Sequence, residues 1–164
     1  MMKKAIFLLS GTPSGKSRFD EIAKQKAWCW NINFNNFLGA LSKNFYWQGE
    51  RDEHYYQFIA HLRDLVNREW GAEEKYLREK IQKFNADDSE QKVMGDAQFD
   101  TFILIVHGVS KNLVSCLEED YGVFKVHISQ RKLNSNIEKH DYILYEDDPD
   151  FEEQVQRLVR VLTN

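Results

Sequence analysis

An apolar run followed at once by a loop of small residues constrains this chain more than any other feature. Residues 5–9 (AIFLL) have no polar side chain, which is typical of a strand buried on both faces of a parallel sheet. The loop SGTPSGKS follows at residues 10–17, and a helix is expected from about Lys16 to Lys26. A buried strand, a short loop and a helix in this order predict the first unit of an α/β fold.

The eight residues after this strand match a phosphate-binding pattern, which is Gly, four residues and Gly-Lys-Ser/Thr. Ser10 stands in the place of the first Gly, with Gly11 beside it. Small residues allow backbone N–H groups to point inward at an anion, and the positive end of the helix adds to the attraction. The alternative is a Gly-Pro turn with a helix-capping serine. We interpret the loop as a nucleotide-phosphate site formed by Ser10, Gly11, Thr12, Pro13, Ser14, Gly15, Lys16, Ser17 and Arg18.

Two side chains of this loop carry the expected chemistry. Lys16 is predicted to stabilise charge on the transferring phosphoryl group, and Ser17 is predicted to ligate Mg²⁺. The expected cofactors are therefore ATP and Mg²⁺, although the loop itself does not distinguish ATP from GTP.

Hydrophobic patterning along the rest of the chain predicts alternating strands and helices. Strands are expected at residues 28–32, 102–106, 123–128 and 142–145, and helices at residues 36–44, 52–70, 73–84, 111–121 and after Pro149. The polar segment 85–98 is interpreted as a loop or short helix, and the polar segment 130–139 as a loop. The order predicts one domain over residues 1–164, a three-layer α/β sandwich with a mostly parallel five-stranded sheet. The phosphate loop at its first strand points to the P-loop nucleoside triphosphate hydrolase fold. The helices at about 33–85 are interpreted as an insertion.

Composition limits the classes of function. The 164 residues carry a net charge of −4 and are 42% hydrophobic and 29% charged, which is ordinary for a soluble domain and argues against general coating of nucleic acid. No segment approaches the length of a membrane span, and the N-terminal apolar run is too short for a signal peptide. Cys29 and Cys116 lack metal-ligand spacing and are expected to be reduced thiols. We expect a cytoplasmic protein with no membrane partner.

A second carboxylate for Mg²⁺ is hard to find in the sequence. Ligands of parallel sheets gather at the carboxyl ends of strands, but strand 102–106 ends in His107, and Asp100 lies at its other end. The strand at 28–32 is followed by asparagines, Asn33 among them, which carry no charge. His107 is a candidate to contact substrate or accept a proton, and the alternative is a packed histidine with a backbone partner.

Several further stretches also stand out, namely residues 45–53 (FYWQGERDE), 58–65 (FIAHLRDL) and 139–147 (KHDYILYED), the last of which contains the strand predicted at 142–145. Together with residues 6–11 and 14–17, they resemble the phage-type deoxynucleoside monophosphate kinases and nucleotide-kinase-like P-loop proteins. That group includes kinases of hydroxymethylated pyrimidine bases in phage DNA. The likeness covers most of the chain, and its most specific part is the phosphate loop.

The resemblance implies an adenylate-kinase-like fold, ATP·Mg²⁺ as donor and transfer of the terminal phosphoryl group. It also implies an acceptor side built from the middle helices, with Arg51 and Arg63 at the family's basic positions. Each arginine has an alternative: Arg51 lies in a charge run of the kind that is usually solvated, and Arg63 could pair with acids on a helix surface. Asn33 stands near a position where the family often has an acid, and His107 begins a stretch where it tends to have an Arg and acids.

Aromatic and basic residues complete the predicted site. Phe34 and Trp47 are chosen as residues that stack a nucleobase, although most aromatics of the first half must be core packing. Arg131, followed by Lys132, is expected to close over the donor, and the alternative is a polar surface loop. The predicted catalytic residues are Lys16 and Arg131, and the predicted substrate-binding residues are Asn33, Phe34, Trp47, Arg51, Arg63 and His107.

Three functional hypotheses are open at this point. The first is transfer of a phosphoryl group from ATP to a small-molecule nucleotide or nucleoside-like acceptor, with a deoxynucleoside monophosphate preferred. The second is a kinase of a hydroxymethyl base in DNA, which requires a basic groove. The third is an ATP-binding regulatory or interaction module with little catalysis, which the missing carboxylate favours. The protein is expected to be a monomer or a homodimer.

Overall fold

The computed structural model describes residues 3–86, 99–130 and 142–163, which form a five-stranded, all-parallel sheet with helices around it. The strands are β1 (Lys3–Gly11), β2 (Trp28–Asn33), β3 (Thr101–His107), β4 (Phe124–Ser129) and β5 (Tyr142–Tyr145). Their order across the sheet is β2-β3-β1-β4-β5, and each neighbouring pair is parallel. The predicted α/β class and parallel sheet are confirmed.

The helices are α1 (Pro13–Ala23), α2 (Phe34–Ser42), α3 (Glu53–Trp70), α4 (Ala72–Ala86), α5 (Lys111–Tyr121) and α6 (Phe151–Leu162), with a 3₁₀ turn at Lys43–Phe45. Local sequence explains several of their ends. Asn33 and Asp52 cap α2 and α3, as short polar side chains do, and Gly71 and Gly122 end α3 and α5 in the left-handed conformation. Within the described ranges, every helix is too short or too polar to span a lipid bilayer.

Side chains of β1 alternate between two apolar cores, one on each face of the sheet. One core contains Phe7 of β1 and Phe19 of α1, and it extends to α6. The other contains Leu8 of β1, Leu77 of α4 and Leu117 of α5. Because successive side chains of a strand point to opposite faces, a strand covered on both faces must be apolar throughout. This arrangement is compatible with the predicted three-layer sandwich.

A third, smaller core lies between α2 and α3 and contains Phe34, Leu38, Tyr55 and Ile59. Both helices belong to the region that the sequence predicts as an insertion. α4, which ends this region, instead packs on the sheet through Leu77.

The chain leaves β1 and β3 toward opposite faces of the sheet. β1 is followed by α1, which packs in the Phe7 core, whereas β3 is followed by α5, which packs in the Leu8 core. The two strands are neighbours, and Leu9 pairs with His107 near their carboxyl ends. Open parallel sheets bind ligands outside the carboxyl ends of strands whose connections diverge in this way. A ligand is therefore expected in the crevice between residues 10–13 and 107–110.

The start of α1 differs from the prediction. β1 extends to Gly11 and α1 begins at Pro13 rather than near Lys16, so Thr12 alone separates strand from helix. Threonine caps helices well and proline suits the first helical position, and these local preferences place the start earlier. Segments 85–98 and 130–139 lie almost entirely outside the described residues, as does Arg131.

Candidate functional site

The turn between β1 and α1 is held by Thr12. Its hydroxyl oxygen accepts a hydrogen bond from the backbone N–H of Gly15 (3.1 Å), and its carbonyl accepts from the N–H of Lys16 (2.9 Å). The N–H of Thr12 donates to the carbonyl of Ile128 at the end of β4 (3.1 Å), and Pro13 has no N–H to offer. These amides were expected to face an anion, and in this conformation they are bonded to the protein instead.

Two glycines let this turn fit tightly against β4. Gly11 has φ +119°, and a Cβ there would lie 1.9 Å from the carbonyl oxygen of Ile128. A Cβ on Gly15 would lie 2.5 Å from Cγ2 of Ile128 and 2.6 Å from Oγ1 of Thr12. The glycines that the sequence motif assigns to phosphate binding therefore also have a packing role.

Two residues that are predicted to bind the nucleotide, Ser10 and Arg18, contact β4, the end of β5 and the start of α6. Oγ of Ser10 lies 2.9 Å from Nδ1 of His127 on β4. Arg18 donates to the carbonyl oxygen of Glu146 (2.9 Å), and its guanidinium lies 4.6 Å from the centre of the Phe151 ring. Arg18 is thus engaged with the ends of β5 and α6, which the sequence did not indicate.

Glu146, which follows β5, brings a negative charge to the turn. Its Oε2 accepts a hydrogen bond from the hydroxyl of Thr12 (3.0 Å), while its backbone N–H donates to the carbonyl of Ser129 (2.8 Å). Sequence reasoning missed this acid, although its place directly after a strand was the available signal.

A cavity of about 760 Å³ opens beside the turn. Lys16 and Ser17 line it from α1, and His107 lines it from the end of β3. Asn33 and Arg51 line the same cavity, so residues predicted to bind the phosphoryl donor and residues predicted to bind the acceptor meet in one place. The lining residues are Pro13, Lys16, Ser17, Asp20, Lys24, Asn31, Ile32, Asn33, Asn36, Phe37, Arg51, Tyr76 and His107.

Three polar side chains along the cavity form a hydrogen-bonded chain. Asn31 on β2 donates from its amide nitrogen to Oδ1 of Asp20 (2.7 Å), and Oδ1 of Asn31 lies 2.8 Å from Nε2 of His107. Oδ2 of Asp20 also forms an ion pair with Lys24, the residue that caps the end of α1 (2.7 Å). Both carboxylate oxygens of Asp20 therefore have a protein partner in this conformation.

The charges around His107 favour its neutral form. Burial lowers the pKa of His107, and the positive charge of Lys16 lowers it further, while Asp20 acts in the opposite direction. The pKa of Lys24 is raised by the hydrogen bond and the charge of Asp20, which keeps the Lys24 ammonium group charged at neutral pH.

Asn33 and Arg51 border the cavity in different ways. Oδ1 of Asn33 accepts hydrogen bonds from the N–H groups of Asn35 (2.9 Å) and Asn36 (3.3 Å), which fixes its amide at the start of α2. Arg51 is exposed, and its guanidinium lies 6.0 Å from the centre of the Tyr55 ring. Of the two predicted acceptor-side arginines, Arg51 is the one that reaches the cavity.

Arg63 forms a buried ion pair instead. Its guanidinium makes two hydrogen bonds to Glu73 (3.0 and 2.7 Å), whose residue is 1% exposed. It also donates to Oδ1 of Asn35 (3.1 Å), the carbonyl of Gly108 (2.8 Å) and Oγ of Ser110 (2.9 Å). Burial raises the pKa of Glu73, but the hydrogen bonds from Arg63 and Ser110 outweigh it and hold that pKa below its usual value. Arg63 therefore ties α3 to α4 and to the β3–α5 turn.

The aromatic residues at the cavity are not the predicted ones. Phe34 is 1% exposed in the α2–α3 core, whereas Phe37 is 41% exposed, lines the cavity and stacks on Tyr76 with ring centres 4.7 Å apart. Trp47 stacks on Tyr55 (4.5 Å) and lines a different cavity of about 450 Å³. The aromatic surface beside Lys16 and Arg51 is thus the Phe37–Tyr76 pair.

Some of the missed residues left a signal in the sequence. Asp20 follows Lys16 by four residues and so shares its helix face. Asn31 precedes Asn33 by two residues and so lies on the same face of β2. The preference for Phe37 over Phe34 had no such signal, because it depends on how α2 is rotated against α3.

The side chains at the cavity fit Mg²⁺ in part. Ser17 is exposed and offers a hydroxyl oxygen, a ligand type that Mg²⁺ accepts. In the part of the chain that the structure describes, no group of three His, Cys, Asp or Glu side chains is placed so that it could hold a metal ion. Because Mg²⁺ bound with a nucleotide takes most of its ligands from phosphates and water, Ser17 is compatible with its predicted role.

Comparison of the chain with models of known protein families gave no match, and neither did comparison with curated protein sequences. A functional interpretation therefore depends on the sheet, the turn and the cavity.

Proposed function

We propose that this protein is a P-loop phosphotransferase with an adenylate-kinase-like fold that moves the terminal phosphoryl group of ATP to a nucleotide or nucleoside-like acceptor. The observation that carries the proposal is the joint placement of Lys16, Ser17 and Arg51 in one cavity. The strand order supports it, since this cavity lies where the connections of β1 and β3 diverge and where such sheets bind phosphate ligands.

Catalysis on the donor side is mostly electrostatic. Charge in the transition state of phosphoryl transfer is spread over the phosphoryl oxygens, so positioning and positive charge supply most of the rate enhancement. Lys16 provides that charge from the first turn of α1, and Ser17 provides an oxygen ligand for the metal. Mg²⁺, when bound, neutralises phosphate charge.

Binding of phosphate requires the turn to open. The hydroxyl of Thr12 occupies the N–H of Gly15, and Glu146 accepts from the same hydroxyl. Loss of such a cap costs about 1 kcal/mol, whereas a phosphate oxygen on the same N–H forms a stronger, charge-assisted hydrogen bond. The exchange is therefore favourable once a nucleotide occupies the cavity.

The acceptor side combines a flat aromatic surface with amides and the exposed cation of Arg51. The Phe37–Tyr76 pair and the amide of Asn36 suit a nucleobase, and Arg51 suits an anionic group. The family resemblance favours a deoxynucleoside monophosphate, for whose phosphate the described lining residues offer Arg51, since Lys24 is paired with Asp20.

An ATP-binding module with little catalysis is the second candidate. It is favoured by one observation, namely that the amides of Thr12, Gly15 and Lys16 are bonded to protein groups. A module of this kind would bind ATP and release no ADP with any acceptor.

The test combines nucleotide binding with turnover. ATP·Mg²⁺ binding is measured by calorimetry, and ADP release is followed against the four deoxynucleoside monophosphates and against DNA that contains hydroxymethylated pyrimidines. Lys16→Ala is expected to weaken ATP binding about tenfold or more and to abolish ADP release, because a charged hydrogen-bond donor is lost. Lys26→Ala, which removes an exposed lysine beyond the end of α1, should behave like the parent. Unchanged ATP binding by Lys16→Ala contradicts the proposal.

A further inference from the structure

The chain of contacts through Asn31 fixes which nitrogen of His107 carries a hydrogen. A carboxylate only accepts hydrogen bonds, so the group of Asn31 that lies 2.7 Å from Asp20 is its NH₂. The oxygen of the same amide then faces His107 and also only accepts, so Nε2 of His107, 2.8 Å away, must donate. In a neutral imidazole, the other nitrogen, Nδ1, is then a proton acceptor.

Nδ1 of His107 has no hydrogen-bond partner among the described residues and is not a fully buried atom. Across residues 3–86, 99–130 and 142–163, this atom makes no hydrogen bond. The buried side-chain atom that lacks a partner in those residues is Nε1 of Trp28 and not Nδ1 of His107. Because His107 lines the cavity of about 760 Å³, a ligand there can approach Nδ1.

Among the described lining residues of the cavity, few cations are left for an acceptor. Lys24 is paired with Asp20 (2.7 Å), and Arg63 lies outside the lining and is held by Glu73 (2.7 Å). Lys16 is assigned to the donor, so Arg51 is the remaining cation among the described lining residues. A second phosphate group recruits several cations, usually arginines with paired hydrogen bonds, whereas a hydroxyl group does not.

We propose that the acceptor reacts through a hydroxyl group and that His107 accepts its proton, with Asn31 and Asp20 as positioning residues; this rests on the proposed phosphotransferase function. The acceptor O–H bond breaks and its proton moves to Nδ1. The oxygen forms a bond to the terminal phosphorus of ATP, and the bond from that phosphorus to the bridging oxygen breaks, with its electron pair leaving on ADP. A phosphate acceptor needs no such base, because its second pKa of about 6 leaves it deprotonated at neutral pH.

The surroundings of His107 set the pH dependence. Burial and the charge of Lys16 lower the pKa of His107, and Asp20 opposes them. Other titratable groups that line the cavity are Lys24 at the end of α1, Arg51, and Tyr76 of α4. Since only the neutral ring accepts a proton, kcat with a hydroxyl acceptor should be constant near neutral pH and fall as the pH drops through this lowered pKa.

The first test compares acceptors and variants. The acceptors are the four deoxynucleosides and an oligonucleotide with a hydroxymethylated pyrimidine, beside the four deoxynucleoside monophosphates, and ATP binding is measured separately. His107→Gln retains a donor for Asn31 but has no base. It should lower kcat with the hydroxyl acceptor about 100-fold or more, remove the fall at acidic pH and leave the Kd for ATP unchanged. His61→Gln, on an exposed part of α3, is the control and should match the parent.

The second test reads the tautomer directly. ¹⁵N NMR of the histidine rings should show His107 with its hydrogen on Nε2 in the parent and a mixture of tautomers in Asn31→Ala, with the His61 signals unchanged. Asp20→Asn should shift the acid limb of the pH profile and lower kcat more than it changes KM. Comparing ADP release with the free deoxynucleosides and with the hydroxymethylated oligonucleotide identifies which of the two supplies the hydroxyl group.

The outcomes separate this inference from the proposed function. Four results would overturn the role of His107. Two concern the acceptor, namely phosphoryl transfer by the parent only to monophosphates, or to no hydroxyl acceptor. The other two are full phosphoryl transfer to a hydroxyl acceptor by His107→Gln and a hydrogen on Nδ1 in the parent. In each of these cases, normal ATP binding by the parent leaves the nucleotide site standing. A parent protein that does not bind ATP overturns the proposed function and this inference together.

Discussion

The two sides of the cavity are built by different means. On the proposed donor side, the contact that caps α1 is local, because Thr12 accepts from Gly15, although Thr12 also bonds to the distant Ile128 and Glu146. Beside the proposed acceptor side, Arg63 does not line the cavity and joins residues distant in sequence, Glu73 of the next helix and Gly108 of the β3–α5 turn. Local patterns are visible in a sequence and long-range pairs are not. This is why the motif found Lys16 and Ser17, and why Arg63 was assigned to a substrate.

The largest effect should come from breaking the acceptor-side ion pair. Arg63→Ala leaves the carboxylate of Glu73 buried at 1% exposure without its partner. Removing one member of a buried pair costs about 3–5 kcal/mol, so the free energy of unfolding should fall by this amount in urea denaturation. Arg51→Ala removes the other predicted arginine from an exposed position and should change stability by less than about 0.5 kcal/mol.

The same pair predicts a pH dependence. The pKa of Glu73 is lowered in the folded protein, so its contribution to stability is present above the unfolded pKa and is lost as the pH falls through the folded value. Glu73→Gln should therefore flatten the acid side of the stability profile. A loss in Arg63→Ala as small as the one expected for Arg51→Ala would mean that Arg63 has no structural role.

The next largest effect concerns the turn. Gly11→Ala would place a Cβ 1.9 Å from the carbonyl oxygen of Ile128 at φ +119°. Overpacking costs about 1–3 kcal/mol and a left-handed backbone about 1–2 kcal/mol, so a loss of about 2–5 kcal/mol is expected in the same urea assay. Gly49→Ala is the matched control, since Gly49 has φ +94° and nothing within 4 Å of the added Cβ. It should show the backbone cost alone, and a similar loss in both variants would disprove the close contact.

The sequence predicted the fold better than the site for the same physical reason. Apolar runs such as residues 102–106 identify buried strands without knowledge of their partners, because two covered faces require them. The predicted start of α1 was wrong because the phosphate-loop pattern places the helix near Lys16, whereas Thr12 caps it and Pro13 begins it. Asp20, Asn31 and His107 are linked by hydrogen bonds only when β2, β3 and α1 are assembled. No single segment of the sequence therefore predicts this link.

A smaller effect is expected from the cap itself. Thr12→Ala removes the acceptor for the N–H of Gly15 and the donor to Glu146, which should lower stability by about 1 kcal/mol. Thr12→Ser keeps the hydroxyl and should recover most of the loss. Calorimetric ATP binding then tests the opening of the turn. Binding by Thr12→Ala should be equal to or tighter than that of the parent, because the N–H of Gly15 no longer has to be released. A large loss of affinity in Thr12→Ala with none in Thr12→Ser would show that the hydroxyl helps to bind the nucleotide.

The smallest effect distinguishes charge from structure at the turn. Glu146→Gln keeps an oxygen that accepts from Thr12 but removes a negative charge beside the phosphate site. A partly exposed charge contributes about 0.2–1 kcal/mol, so ATP should bind roughly 1.4- to fivefold more tightly. The gain should shrink at high salt, because screening weakens such interactions. Asp147→Asn changes the net charge equally at the next, exposed residue and should produce a smaller gain. If both variants bind ATP with the same affinity, the proximity of Glu146 to the phosphates is refuted.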